Sequence, residues 1–506
     1  MRRWSAATRR TKVSELATKC GVLARDHLYG FRQQPSFMQE QLKPGLAGCG
    51  HHHSRIDLPF SSLARTTCLS LLLFLWLGAC VSAVAAQRGA SATAPPFTVR
   101  ADRPSAIYKQ GEVVSFMVQL TTNSPVAKDA ELAWKISKDG VAPMHTGTLK
   151  LAQGTGKVTA KLDEPGHLLC NVSATVKGRP VAALGGAAVD PLQIKPSLPV
   201  PDDFDAFWAE QKQKLATVPM NARVTSVRYA STNAECFDVQ ADCAGGAPMS
   251  GRYAKPAGAK PRSLPAILLV QGAGVNSSSL ASAVTWAERG FLAMDINAHG
   301  LPNGKPAPFY SQLSEGALKG YPHFGRESRD TCYFLGMFLR VIRAIDFLAA
   351  QPEWDGKTVV VYGSSQGGFQ AFAAGGLDER VSFIAAGVPA GCDHTGVVVG
   401  RVNGWPKLVP GGPDGKPDPK VLQVSRYFDN VNFATRTKAK GAFVTVGFID
   451  QTCPATTVYA AYNSLKIPKK IYNDIPTGHA NSPEATHARN QAVLNYVKSV
   501  KPAGAP

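Results

Sequence analysis

From residue 264 to the end of the chain, short unbroken apolar runs alternate with longer stretches in which apolar residues recur every three or four positions. The runs fall at 264–270, 291–296, 358–362, 383–388 and 442–448, and a further short strand is expected at 470–472. A run without polar alternation, bounded by turn residues, predicts a strand buried on both faces. The periodic stretches predict helices at 279–289, 329–350, 366–374, 454–464 and 483–500. In 329–350, Leu335, Phe338, Leu339, Ile342 and Ile345 form one stripe. Ahead of them, DFDAFWAEQKQKL at 203–215 predicts an amphipathic helix with Phe204, Phe207 and Trp208 on its apolar side, capped by Asp202 or Asp203. Repeated strand-then-helix units define an α/β fold with a mostly parallel, doubly wound sheet, spanning 200–502.

Upstream the pattern changes. Runs at 113–120, 132–136, 157–162 and 168–176 have strand character, and Asn123-Ser124-Pro125, Asp139-Gly140 and Glu164-Pro165-Gly166 mark turns between them. Short strands spread over about a hundred residues predict an all-β, immunoglobulin-like sandwich at 96–195. Its single cysteine, Cys170, leaves no inter-sheet disulfide, and it carries no catalytic constellation. A spacer or a support for the following domain is the expected role. A small-residue linker at 89–95 precedes it, and a proline-rich joint at 196–201 follows it. The Gly/Pro-rich segment 395–436, with Trp405, Tyr427 and Phe428, interrupts the α/β pattern and predicts a cap over the pocket.

One apolar run is of another kind. CLSLLLFLWLGACVSAVAA at 68–86 has a short apolar heart at 71–77, Arg65 before it and small residues at its end. This reads as a secretory signal, so 1–87 is an export region and the protein is expected outside the cytoplasm: in the periplasm, on the cell envelope or secreted. Two processing sites compete. Ala83-Val84-Ala85 offers an A-x-A cut, and Leu77-Gly78-Ala79-Cys80 resembles the bacterial lipobox, which would attach Cys80 to lipid. A signal that starts this far into the chain suggests a start site placed too far upstream.

Composition changes the picture little. At 44% hydrophobic and 18% charged residues, the chain is globular rather than disordered. Of the net charge of +19, residues 1–86 carry +7, from eleven Lys/Arg against four Asp/Glu. The rest is spread without a dense basic block, so no nucleic-acid partner is expected. Six of the ten cysteines follow the signal: Cys170, Cys236, Cys243, Cys332, Cys392 and Cys453. Cys236 and Cys243 are candidates for a bridge across a hairpin. With no CxxC pair, neither a zinc site nor any other metal or cofactor is expected.

The chemistry is centred on 357–374, KTVVVYGSSQGGFQAFAA. A buried strand, then Gly363-Ser364-Ser365-Gln366-Gly367 fitting G-x-S-x-G, then a helix of small residues is the context of a nucleophile elbow. A serine hydroxyl needs a base in contact. Asp450 falls just past the strand 442–448, and His479 lies in the loop 475–480 before the last helix. Ser365 is therefore the expected nucleophile, His479 the base and then acid, and Asp450 the group that fixes the His479 tautomer. Asp393 with His394, Asp295 with His299, and Asp474 are the rivals; His487 lies inside the last helix. The expected oxyanion donors are the backbone N–H groups of Gln366 and of Ala273, the latter in Gln271-Gly272-Ala273-Gly274 after the strand 264–270.

At these residues the chain resembles the acetyl xylan esterase / cephalosporin-C deacetylase family of carbohydrate esterases. The resemblance covers about 200–500 and rests on PDDFDAFW at 201–208, QGAGVNS at 271–277, RDTCYFLGMFLRVIRAIDFL at 329–348, GSSQGG at 363–368, GFIDQTCP at 447–454 and GHAN at 478–481. It implies an α/β hydrolase that removes acetyl groups from sugar hydroxyls, with Ser365, Asp450 and His479 as triad, an acetylated carbohydrate as substrate and often a homo-oligomer. In that setting Trp405 is a candidate to stack on a sugar ring. The chain departs from the family at Ala273, where an aromatic residue is usual, at Asn297-Ala298-His299-Gly300, which replaces R-G-Q-G, and at Ser364, where glycine is common. Three other readings remain open: a general short-chain carboxylesterase, a prolyl-oligopeptidase-like peptidase, and a non-catalytic envelope protein that binds glycans. The β region is too short for a propeller, which counts against the peptidase.

Overall fold

The computed structural model describes residues 95–230, 233–412 and 414–500. The expected export region 1–87 lies outside them. Among the described residues, no helix is long and apolar enough to cross a membrane.

The first part of the chain is built from strands alone: β1 (Phe97–Ala101), β2 (Ile107–Tyr108), β3 (Val113–Leu120), β4 (Glu131–Lys138), β5 (Pro143–Lys150), β6 (Thr155–Lys161), β7 (Gly166–Val176) and β8 (Arg179–Val189). They form two sheets, ordered β1-β3-β6 and β2-β8-β7-β4-β5. Alternation explains the layering. On β3, Val114, Phe116 and Val118 are buried while Val113 and Met117 face solvent. The inward residues meet Phe97, Leu132, Ile136, Leu168 and Cys170 in one apolar core.

After α1 (Phe204–Ala216) the chain builds a nine-stranded sheet, from β9 (Arg223–Ser226), β10 (Ala234–Ala241), β11 (Met249–Pro256), β12 (Leu264–Val270), β13 (Leu292–Ile296), β14 (Trp354–Ser364), β15 (Phe383–Gly387), β16 (Gly441–Gly447) and β17 (Lys469–Asp474). The order is β17-β16-β15-β14-β12-β13-β11-β10-β9. Pairs from β13 through β12 to β17 are parallel, and the β9–β11 edge is antiparallel. The helices are α2 (Leu280–Ala287), α3 (Ala307–Glu315), α4 (Tyr333–Ala349), α5 (Gln366–Leu377), α6 (Pro419–Ser425), α7 (Asn430–Ala434), α8 (Ala455–Ser464) and α9 (Pro483–Val500). Both faces of the sheet are covered. On β12, Ala266, Leu268 and Val270 join a core with Phe338, Ile345, Phe369 and Val458, while Ile267 and Leu269 join one with Val284, Trp286 and Val493. That is why the strand sequences are apolar without alternation.

Two local expectations change. Asp203 is the N-cap of α1 but makes no capping bond, because Arg329 (Nη1···Oδ2 2.5 Å) and the Tyr427 hydroxyl take up its carboxylate. Cys236 and Cys243 do not bridge a hairpin. All six described cysteines are free and buried, and these two lie seven positions apart on and just past the extended β10. At about 3.3 Å per residue that is far beyond disulfide reach.

Candidate active site

β12 lies between β13 and β14, so the chain leaves β12 first to one side and later to the other. Such a switch point opens a crevice at the carboxyl ends of the two strands, where α/β sheets bind ligands. Val270 and Gly363 are register partners there. The loop 271–277 and the Ser365 elbow therefore start side by side.

Ser365 has φ 58° and ψ −122°, a strained pair for a residue with a side chain. It is held by three backbone bonds: its N–H donates to Gly387 O at 2.9 Å, and its carbonyl accepts from Phe369 N and Ala390 N at 3.0 Å each. The flanking glycines are required by space. A Cβ on Gly367 would sit 2.2 Å from Val270 O, and one on Gly363 would sit 2.6 Å from both Gly367 O and Val270 O.

His479 Nε2 lies 2.8 Å from Ser365 Oγ, and His479 Nδ1 lies 2.8 Å from Asp450 Oδ2. A neutral imidazole that donates Nδ1–H to the carboxylate presents its Nε2 lone pair to the serine O–H. The other carboxylate oxygen, Asp450 Oδ1, accepts from Thr452 N and Cys453 N at 2.8 Å each. Asp474 braces the His479 loop from below, accepting from Thr477 Oγ1 at 2.8 Å and Ser482 N at 2.7 Å. Gly447 lets that loop approach, since a Cβ there would be 2.2 Å from Gly478 O.

The fold thus brings Ser365, Asp450 and His479 together and sends the rivals elsewhere. His487 is exposed on α9. His394 is buried, and Asp393 turns to Ser197 and Arg401. Asp295 and His299 hold the 271–277 loop. Asp295 Oδ1 accepts from Gln271 Nε2 at 2.7 Å and from Ser279 N at 2.8 Å, and burial pushes this carboxyl up to about 7. Burial lowers His299 below the usual imidazole range. As a neutral ring it donates Nε2–H to Gly274 O (2.9 Å) and accepts at Nδ1 from Tyr333 O–H (2.7 Å).

Gln366 opens α5, so its N–H has no intrahelical acceptor. Its side chain reaches the same loop: Nε2 donates to Gly272 O at 3.4 Å, and Oε1 accepts from Tyr321 O–H at 2.7 Å. Tyr321 in turn accepts from Gly274 N at 3.4 Å. Ala273 is exposed, as is Asn276 of the same loop, and Trp405 is half-buried, with its ring 6.3 Å from that of Phe334. Asp450, Cys453 and His479 offer three ligand atoms within 4.8 Å of one another. The Asp450–His479 bond already occupies two of them, so a metal ion there would compete with it.

Sequence reasoning missed the supports beneath the elbow. Arg489 on α9 is buried and donates Nη1–H to Ser364 Oγ (2.8 Å) and Gly363 O (3.1 Å), with its guanidinium 4.1 Å over the Tyr362 ring. Asn481 donates to Ser364 Oγ at 3.4 Å and accepts from Thr445 Oγ1 at 2.5 Å. A signal existed: Arg489 stands on the stripe Ala485, Val493, Val497, the buried side of α9, where an arginine needs partners.

The doubly wound sheet, the elbow and the Ser–His–Asp line define an α/β-hydrolase-type esterase. The acetyl xylan esterase (AXE1) family profile matches residues 190–498, and the chain belongs to that family. It is a carboxylic-ester hydrolase. It is 28% identical over 369 residues to acetyl esterase Axe7A of Xylanibacter ruminicola, covering 72% of this chain and 82% of that protein. The acetyl xylan esterase from Paenibacillus sp. R4 aligns at 29% identity and a TM-score of 0.52, over 61% of this chain and 98% of that one. Acetyl xylan esterase 1 from Thermoanaerobacterium sp. JW/SL YS485, at 23% identity and a TM-score of 0.51, covers 60% of this chain and 97% of its own and shares the fold.

Proposed function

We propose that this protein removes acetyl groups from acetylated xylan or xylo-oligosaccharides through an acyl-enzyme on Ser365. The observation that carries this reading is the continuous Ser365–His479–Asp450 hydrogen-bond line at a strained elbow. Ser365 Oγ attacks the acetyl carbonyl while its proton passes to His479 Nε2. Asp450 holds the imidazolium, which then protonates the departing sugar oxygen. His479 takes a proton from the water that attacks the acetyl-serine and returns it to Ser365 Oγ as acetate leaves. The N–H groups of Gln366 and Ala273 stabilise the oxyanion, and removal of one such donor typically raises the barrier by about 2.7–4 kcal/mol. No metal or other cofactor enters these steps.

Segment 395–436 forms the cap. Phe428 and Phe433 are fully buried in the main core, which makes the cap a fixed wall rather than a swinging lid. Trp405 is its candidate sugar platform. The region 96–195 is assigned as an immunoglobulin-like sandwich, and 1–87 as a bacterial export region with Cys80 as a candidate lipid site. Export would place the enzyme where polymer fragments are met. The family's assembly habit makes a homo-oligomer part of the same reading.

Ala273, small where the family carries an aromatic side chain, supports a second reading: a general short-chain carboxylesterase. A panel of acetylated xylo-oligosaccharide and p-nitrophenyl acetate, butyrate and octanoate separates the two. Acetate release from the sugar, with activity falling steeply beyond acetate, is the expected result. Activity peaking at butyrate or longer establishes the second reading. Ser365→Ala should abolish the p-nitrophenyl acetate burst; unchanged turnover refutes the triad.

A further inference from the structure

The loop that carries Asp450 is not held by the α/β sheet alone. At one end, Phe448 faces the β-sheet region: its carbonyl oxygen would lie 2.1 Å from a Cβ on Gly186 of β8, and the His167 ring of β7 meets its ring edge-on at 5.4 Å. At the other end, Thr456 in the first turn of α8 donates its hydroxyl to Asp139 Oδ1 at 2.5 Å. Asp139 is in the turn between β4 and β5 and has φ 52°. The same Oδ1 accepts from His167 N at 2.8 Å, and Oδ2 lies 3.6 Å from Lys138 Nζ. Asp139 and Thr456 are both buried.

A second line runs from the same turn through segment 395–436. Asp139 O accepts from Val402 N at 3.0 Å, and a Cβ on Gly140 would sit 2.3 Å from Val402 Cγ1. Three residues on, Trp405 N donates to Thr452 O at 2.7 Å. The N–H of Thr452 is one of the two that grip Asp450 Oδ1. The turn 139–140 thus touches the acid loop directly at Thr456 and indirectly at Thr452.

We propose that Asp139 is a positioning residue for the esterase reaction, through which the β-sheet region fixes the Asp450 loop and with it the His479 orientation. The proposal rests on the reading of Ser365, His479 and Asp450 as the triad, and it gives the β-sheet region a role in turnover besides that of a spacer. A misplacement far from the reacting atoms lowers turnover without altering the surface that binds substrate. The expected signature is therefore a loss in kcat, not in KM.

The test is steady-state hydrolysis of p-nitrophenyl acetate by the full chain and by Asp139→Ala, Asp139→Asn and Thr456→Val. Loss of one net hydrogen bond in the support should lower kcat about three- to tenfold in Asp139→Ala, with KM within about twofold. Asp139→Asn keeps an oxygen acceptor for His167 N–H and Thr456 O–H and tolerates the positive φ. It should recover most of the lost kcat. Thr456→Val should lower kcat in the same way and add little to Asp139→Ala, as one shared interaction requires. Wild-type kcat in Asp139→Ala despite a lower Tm overturns the proposal, as do independent, multiplying effects of the two substitutions. If Asp139→Ala does not fold, Thr456→Val decides alone, and an unchanged kcat there is the overturning result. Failure of the triad reading is separately visible as turnover surviving in Ser365→Ala.

Discussion

The buried guanidinium of Arg489 donates to Ser364 Oγ at 2.8 Å, and that oxygen also accepts from Asn481 at 3.4 Å. Ser364 is thus the meeting point of α9, the His479 loop and the elbow strand. Ser364→Ala removes this acceptor and leaves a buried donor under-satisfied. Stability should fall by about 1–3 kcal/mol. Urea unfolding with an unchanged m-value checks it; a midpoint equal to wild type would mean that Gly363 O alone satisfies Arg489.

Gly367→Ala forces a Cβ to 2.2 Å from Val270 O, a backbone atom that cannot rotate away. Either the elbow or β12 must shift, and both carry the site. Overpacking of this kind costs about 1–3 kcal/mol or more. The variant should melt lower and lose most of its p-nitrophenyl acetate activity at temperatures where it remains folded by circular dichroism. Full activity would show that the elbow relaxes more easily than its packing implies.

Tyr321 joins the elbow to the loop 271–277, donating to Gln366 Oε1 at 2.7 Å and accepting from Gly274 N at 3.4 Å. Tyr321→Phe keeps the ring and deletes both bonds. Because, in the proposed mechanism, these bonds position the oxyanion donors rather than bind substrate, kcat should drop about three- to tenfold, with a smaller effect on KM. A rise in KM alone would instead place the hydroxyl in substrate binding.

Asp295 supplies a pH dependence. Its folded carboxyl sits at about 7 because it is buried, against about 3.9 in an unfolded chain. Between those values the folded state holds a proton that the unfolded state has lost, so this group's contribution to stability falls as pH rises from about 4 to about 7. Buried His167 and His394, both lowered to about 4, act oppositely below the usual imidazole range. The clean observable is a difference between proteins. Asp295→Asn keeps an oxygen for Gln271 and Ser279. Relative to wild type it should gain stability steadily from pH 4 to 7 and level off above. A difference independent of pH would show that Asp295 is ionised throughout.

The sheet was legible because strands buried on both faces are written as unbroken apolar runs, as at Ala266–Val270 and Val359–Val361. The antiparallel edge was not. β10 and β11 mix Glu235, Asp238, Arg252 and Lys255 with buried Val239 and Tyr253, so neither run nor alternation stands out. Ser365, Asp450 and His479 stand out in the sequence because each follows a strand end in a fixed order. Their supports do not, since Tyr321, His299, Arg489 and Asp139 act through bonds to segments 25 to 317 positions away.

Ala273 is where the acyl preference should be decided. The backbone on either side of it is held from below: Gly272 O by Gln366, Gly274 N by Tyr321 and Gly274 O by His299. With its neighbours fixed, a larger side chain at 273 has no route into the core and must occupy the open crevice beside the elbow. Ala273→Phe should therefore act by filling space, not by removing a hydrogen bond, since its N–H is unchanged. A single methylene in an apolar pocket is commonly worth about 10–200-fold in discrimination. The butyrate-to-acetate ratio of kcat/KM should accordingly fall about tenfold or more in Ala273→Phe. An equal loss on both esters would mean that the ring blocks the oxyanion position itself, and no change would place the acyl group on the far side of Ser365, against the wall that includes Trp405.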